Sequence, residues 1–363
     1  MRALLRAAFL IVPLSLVWCT NEGPVNPVPR DPDQLAVPPS GQGFQLKTND
    51  VSVPAGTEEQ DCYFFKVSDV AAANGLPADQ PVELHRIEDV QRAGSHHMNV
   101  FRVRTIVGLD PAKGAVQQGT NGQGPCFKSP NWADWPLVAN TQQAGGLDWS
   151  YPDGVANELQ PNEILMLQTH YVNGTSQTTP NGAGKVAINF WVIPKEQVTA
   201  HLGTLFSTNQ SIRICAHNPQ PTYEHACQFK ANSAVNIIGA NGHFHSRGTD
   251  FNMFAWDGTS ITTPPMSNRF YESTTWAEPP MLHSPDLNTV VQPGGGVWYT
   301  CSFQWQMPDP SIGCAGLDMA DAAKGTPADR LDCCYTFGGL VDKNEHCNAF
   351  VYYYPAQDNV TCF

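Results

Sequence analysis

Val235-Asn-Ile-Ile-Gly-Ala-Asn-Gly-His-Phe-His245 has the apolar texture of a β-strand and ends in two histidines one residue apart. Side chains on a strand repeat every two residues, so His243 and His245 leave the chain on the same face. Two imidazoles so placed are near enough to share one metal ion. Strand texture recurs in Cys62–Val67, Val82–Ile87, Met98–Val107, Ile164–Val172, Val186–Ile193, Asp250–Trp256, Gly296–Trp305 and Ala349–Tyr354. Turn residues separate these runs, with 30 glycines and 30 prolines in 363 residues, and the best helical candidate is a short stretch around Asp318–Lys324. Such a chain is expected to be all-β, built of antiparallel sandwiches. Its length allows two domains. Pro194-Lys-Glu-Gln197, a turn after a strong strand near mid-chain, is the expected boundary, giving β-sandwiches over residues 45–194 and 195–363. The Gly/Asn/Trp-rich segment from Gly108 to Asn157 reads as loops.

Arg2 and Arg6 ahead of the apolar run Ala7–Trp18 read as a secretory signal over residues 1–19, processed by lipidation at Cys19 or by ordinary cleavage. That run is too short to span a bilayer and no later one is long enough, so membrane association is expected only through a lipid on Cys19. Residues 20–44, rich in Pro, Gly, Asp and Asn, read as a flexible tether. The mature protein is expected to be secreted or held at the cell envelope. Apart from Cys19, the 11 cysteines form an even set with no C-x-x-C spacing, which in an exported chain suggests disulfides. A formal charge of −13 disfavours nucleic acid and anionic lipid as partners.

Six of the 11 histidines fall into two triplets. In the first half, His96 and His97 are adjacent and His170 stands on a later strand. Neighbouring strand residues point to opposite faces, so a metal held by both His96 and His97 requires a local bend or different ring nitrogens. In the second half, His243 and His245 share a face and His346 comes from a distant strand. Imidazole triplets suit copper, zinc, iron or nickel, and spacing does not choose among them. The bland alternative is imidazoles that merely satisfy hydrogen bonds in two β cores. The remaining histidines, at 85, 201, 217, 225 and 283, have no convincing partners. There is no Gly-x-Ser-x-Gly elbow and no His-Glu-x-x-His helix.

The pattern resembles the copper type II, ascorbate-dependent monooxygenases, the family of peptidylglycine α-hydroxylating and dopamine β-monooxygenases. The resemblance rests on Ser95-His-His-Met-Asn-Val-Phe101, Leu167-Gln-Thr-His-Tyr171, Gly242-His-Phe-His-Ser246, and Asn344-Glu-His-Cys-Asn348 followed by Tyr352-Tyr-Tyr-Pro355. It implies two tandem jelly-roll sandwiches, each presenting one copper to a solvent-filled cleft between them. His96, His97 and His170 resemble the ligands of an electron-donating copper, with Gln168 a neighbour on the electron route. His243 and His245 resemble two ligands of the oxygen-binding copper. The family's third ligand there is a methionine in a Glu-Met-Cys stretch, where this chain has His346. Thioether sulfur favours Cu(I) and a third imidazole favours Cu(II), so a lower reduction potential is expected. Met307 and Met253 are weaker sulfur candidates because neither sits at the matching position.

The resemblance also implies Cys301–Cys347, Cys227–Cys362 and Cys62–Cys126 pairs, leaving Cys215, Cys314, Cys333 and Cys334 for two more. Peptide-amidating members carry an arginine where this chain has Asn241 and a tyrosine where it has Phe350, while Asn348 is retained. Those three positions are the expected substrate contacts, with a neutral or aromatic small organic compound favoured over peptidylglycine. The function implied is hydroxylation of a C–H bond by O2, with ascorbate or another one-electron donor and two copper ions. A copper capture or trafficking protein using the same histidines is the second reading, and a zinc hydrolase the third.

Overall fold

The computed structural model describes residues 31–104, 108–110, 119–121, 123–128, 135–143, 146–308, 314, 317–319, 333–357 and 359–363. The secretory signal, Cys19 and the first part of the expected tether lie outside the described residues.

The fold is all-β, as the sequence texture predicts. One five-stranded sheet runs Gly119–Thr120, Thr57–Lys66, Ile164–Asn173, Ser95–Arg102, Leu137–Thr141, every neighbouring pair antiparallel. It faces a six-stranded sheet centred on Val186–Val192, Val82–Gln91 and Val155–Leu159. Between them lies a core that includes Phe44, Phe101, Trp135, Trp149, Leu165 and Phe190. In the second half, Gly203–Thr208, Asn348–Tyr354, Val235–His243 and Leu282–His283 form one sheet. Its partner runs Arg269–Ser273, Gly248–Trp256, Gly296–Phe303, Thr222–Phe229, Val360–Cys362. A small sheet of Arg213–Cys215, Cys333–Phe337, Asp318–Met319 and Asn344–Glu345 lies beside them.

Asn348–Tyr354 contributes to both cores. Ala349, Val351 and Tyr353 pack into the second-half core. Phe350 and Tyr352, on the opposite face of the same strand, pack into the first-half core with Ile238 and Met281. A strand buried on both faces carries apolar residues without alternation, which is what Ala349–Tyr354 presents. Tyr352 meets Trp149 edge-on at 5.2 Å, and Phe350 stacks on Phe206 at 4.8 Å. Burying a ring of this size contributes roughly 1.5–3 kcal/mol. Apolar packing along this strand therefore joins the two cores.

Five disulfides tie the described chain together: Cys62–Cys126, Cys215–Cys334, Cys227–Cys362, Cys301–Cys347 and Cys314–Cys333. The first-expected three pairs are all present, and the four remaining cysteines form two more. A bridge set of this density belongs to a chain that matures in an oxidising compartment.

Three expectations need correction. The tether ends before residue 44: Asp31 and Asp33 bind Arg92, Asp33 also reaches Lys185 at 2.9 Å, and Leu35 is buried against Val90 and Ala187. Salt links from aspartates and one apolar anchor fix a segment whose composition alone reads as flexible. The expected helix at Asp318–Lys324 is instead a two-residue strand, Asp318–Met319, with the rest outside the described residues. The seven-residue helix that does form, Val67–Ala73, follows a strand without any sequence signal beyond its alanines. Leu137–Thr141, Leu147–Ser150 and the start of Val155–Leu159 are strands inside the segment read as loops, too short to show a period. Among the described residues no helix is long and apolar enough to cross a membrane.

Candidate metal centre

His96 and His97 reach the same place because the strand is bulged there. Ser95 pairs with Tyr171 and His97 with His170, so His96 is the extra residue in the ladder. A bulge turns one side chain away from strict alternation, which supplies the bend the adjacent pair requires. His97 and His170 are direct cross-strand neighbours with ring centroids 5.1 Å apart, and His96 lies 5.3 Å from His170.

The second set is assembled from the end of Val235–His243 and the link between Asn344–Glu345 and Asn348–Tyr354. His243 pairs in register with Asn348, which brings His346 alongside. The His245 and His346 rings are 4.3 Å apart, and His243 Nε2 lies 3.0 Å from His346 Nδ1. Cys347, next to His346, is bonded to Cys301 of the facing sheet, so a covalent link holds that turn in place. Gly242 is needed beside His243, because a Cβ there would come within 2.5 Å of the Phe251 ring.

The two sets meet. His96 stands 5.6 Å from His243 and 6.2 Å from His245, and His97 stands 5.2 Å from His243, ring to ring. Ligand atoms of His96, His97 and His170 lie within 4.8 Å of one another, and so do those of His96, His243 and His245. All six imidazoles thus form one cluster, with His96 common to both triads. The resemblance implied two coppers facing each other across solvent, whereas here the rings touch and five of the six residues are buried.

Neighbouring groups fix the rings. His170 Nε2 is 3.0 Å from Glu58 Oε2, and the same carboxylate accepts the Val341 N–H, joining the two halves of the chain. Burial raises the Glu58 carboxyl, but the His170 hydrogen bond and charge, with the Val341 amide, bring it below the ordinary carboxylate range. His243 Nδ1 lies 2.6 Å from Gln142 Oε1, and Gln142 in turn donates to the Trp276 carbonyl. His245 Nδ1 is 3.0 Å from the Asn344 carbonyl and so carries the proton, which leaves Nε2 with its lone pair. Asn99 donates to Gln168 Oε1 at 3.1 Å and stands 3.4 Å from His97 Nδ1. Gln168 therefore reaches the first triad through Asn99. Glu345 accepts from the backbone N–H of His245 and of Arg247 and pairs with the Arg247 guanidinium, which lies over Tyr335.

Burial, with repulsion between neighbouring rings, favours the neutral form of His96, His97, His243, His245 and His346. His96, His97, His243 and His346 titrate well below an ordinary histidine, burial being the main cause and neighbouring imidazoles the next. His245 is pushed down to about 4 by burial, against the Asn344 carbonyl. Neutral imidazole is the metal-binding form. Nε2 of His96 and Nε2 of His245 are buried without any hydrogen-bond partner. An orphaned buried acceptor is costly unless something binds it, so these two nitrogens suit a soft or borderline metal ion.

The other expected site residues lie nearby but inward. Asn241 accepts from Asn140 and donates to the Pro280 carbonyl, and Tyr352 closes the same network onto Asn140. Phe350 is held in the core by Phe206. Asn348 is buried beside His243. None of the three presents an exposed face to a substrate. Met253 is buried in the second-half core and Met307 is exposed, so neither joins the histidines. Sequence reading missed Glu58, Gln142, Asn99 and Arg247. A usable signal existed for Glu58: Glu58-Glu-Gln-Asp61 is a polar run leading directly into the apolar Cys62–Phe65.

Asp61, on the strand that carries Glu58, is raised to about 7, mainly by burial and then by Glu59, against a hydrogen bond from Tyr63. A carboxyl raised in the folded state contributes stability below its unfolded value that is lost as pH climbs through the folded one. The advantage of Asp61→Asn over the native chain is accordingly expected to grow between pH 4 and pH 8, by about 2–4 kcal/mol. Thermal melts across that range check this, and a difference independent of pH would contradict it.

No known protein family and no curated protein matches the sequence. Among solved structures, one described as a putative secreted protein from Eubacterium rectale aligns over 86% of this chain and 68% of its own, at 6% identity and a TM-score of 0.22. The stem and receptor binding domain of the spike protein P1 from bacteriophage PM2 aligns over 88% of this chain and 100% of its own, at 9% identity and a TM-score of 0.12. Likenesses this slight do not decide a function.

Proposed function

We propose that the protein is an exported copper-dependent oxidoreductase in which His96, His97, His170, His243, His245 and His346 hold two copper ions. The observation that carries this reading is the contact of six imidazoles in one buried cluster, with Nε2 of His96 and Nε2 of His245 buried and without a hydrogen-bond partner. The motif resemblance to the ascorbate-dependent monooxygenases supplies the reaction class. In it a C–H bond becomes C–OH and the second oxygen atom of O2 leaves as water, with two electrons from two one-electron donors such as ascorbate and two protons from the donor or solvent. Copper contributes redox and oxygen chemistry when bound. The chain's own part is to set ring orientation: Glu58 through His170, Gln142 through His243, and the Asn344 carbonyl through His245. Five disulfides and the signal-like N-terminus support a secreted or envelope location, with lipidation at Cys19 its anchored form.

The test is oxygen consumption by copper-loaded protein with ascorbate and a panel of neutral and aromatic compounds, with metal analysis alongside. Substrate-dependent uptake with a hydroxylated product supports the monooxygenase. Two tightly held coppers without turnover supports capture, a reading favoured by the enclosure of His170 at 2% and His245 at 0% exposure. Zinc in place of copper, with no cupric EPR signal, overturns both. The His346→Met variant is expected to shift its copper toward Cu(I), losing cupric signal at lower ascorbate than the native protein. An unchanged reductive titration would remove His346 from the ligand set.

A further inference from the structure

A second cluster lies where the two halves of the chain join. Glu83 and Glu158 are direct cross-strand partners on Val82–Gln91 and Val155–Leu159. His201 arrives on the next strand, Ala200–His201, which pairs in parallel with Val155–Ala156. Like charges directly opposite on a sheet repel, and burial together with the Glu158 charge raises the Glu83 carboxyl above its ordinary value. Glu83 is 3% exposed, and its carboxylate oxygens make no close hydrogen bond, the nearest partner being His201 at 3.5 Å. An ionised carboxylate so enclosed carries a heavy desolvation cost.

The positive charges already present answer it incompletely. His201 Nε2 lies 3.5 Å from Glu83 Oε2 and 3.9 Å from Glu158 Oε2. A charge-assisted hydrogen bond is about 2.7–2.9 Å long, so both contacts are long and weak, while Gln160 donates to the other oxygen of Glu158 at 2.7 Å. Lys195 acts on Glu83 only as a neighbouring charge. One ligand atom from each of Glu83, Glu158 and His201 lies within 4.8 Å of the others. Ligands bound to zinc at roughly 2.0–2.2 Å stand about 3–3.5 Å apart, which the present spacing reaches with a small contraction. Two carboxylates and one imidazole form a borderline-hard donor set, unlike the all-nitrogen cluster described above.

We propose that Glu83, Glu158 and His201 form a divalent-cation site of the zinc or manganese class that fastens Ala200–His201 to the edge of the first-half sheet. The site shares no residue with the histidine cluster, so its fate is separate from that of the copper reading.

The test uses zinc as the probe. Chelator-stripped full-length protein is titrated with Zn2+ at neutral pH, with bound zinc counted after gel filtration and melting followed in parallel. The same is done for Glu83→Gln, His201→Gln and a His243→Ala/His245→Ala variant. Both single variants are expected to bind one zinc fewer than the native chain and to lose the matching part of the zinc-dependent rise in Tm. His243→Ala/His245→Ala should retain that equivalent. His201 is half-exposed, so His201→Gln keeps the test valid if Glu83→Gln fails to fold. Zinc stoichiometry and Tm response identical in the native chain and His201→Gln would overturn the proposal and leave an ion pair only.

Discussion

Copper-loaded His96→Ala protein is expected to lose both ions rather than one. His96 is the one imidazole common to both triads, with a nitrogen within ligand distance of His97 and His170 on one side and of His243 and His245 on the other. Its Nε2 is also buried without a hydrogen-bond partner. Removing a group that merely orients a ligand typically weakens metal binding about 10–100-fold, and removing a shared ligand should exceed that at both positions. Oxygen consumption should fall to background with it. Metal analysis and EPR decide the matter. One full copper retained with an unaltered signal would mean that the triplets act separately and that the ring contacts between them are incidental.

That result bears directly on what the sequence could reveal. All six histidines were legible, because H-x-H on a strand, an adjacent pair and two more histidines in matching motifs carry a recognisable order. Their convergence was not. It depends on Phe350 and Tyr352 facing one core while Ala349, Val351 and Tyr353 face the other, which draws the sheet bearing His243 against the sheet bearing His97. Periodicity marks such a strand as buried on both faces but does not say against what. The bulge at His96 was demanded by the chemistry of an adjacent pair, and the structure supplies it at that residue.

The supporting polar groups were the least legible. Glu58 meets His170 across a separation of 112 residues, and Gln142 meets His243 across 101. Nothing local distinguishes a glutamate that orients an imidazole from one on a solvated strand. Short strands such as Leu137–Thr141, which delivers Gln142 at its end, are equally hard to see because five residues scarcely define a period. Substrate positions transferred from the resemblance fared differently again: Asn241 and Phe350 have partners enough within the fold to account for their burial.

Glu345→Ala should be among the most damaging single substitutions outside the ligand set. Glu345 is 0% exposed and its two oxygens receive the backbone N–H groups of His245 and Arg247 together with the Arg247 guanidinium. Alanine would strand two buried amides and a guanidinium that is itself only 6% exposed. Breaking one side of a buried ion pair costs about 3–5 kcal/mol. Arg247 keeps bonds to the Val341 and Asp342 carbonyls and its place over Tyr335, so the lower end of that range is expected. Because both orphaned amides flank His245, copper held by the second triad should weaken as well. The Glu345→Ala/Arg247→Ala double variant should then cost well under the sum of the two single losses, since the stranded charge goes with its partner. Denaturant unfolding of the three variants measures this coupling. A single loss within about 0.5 kcal/mol, the scale of an ordinary surface change, would show that the Glu345 contacts do not hold the turn that carries His245.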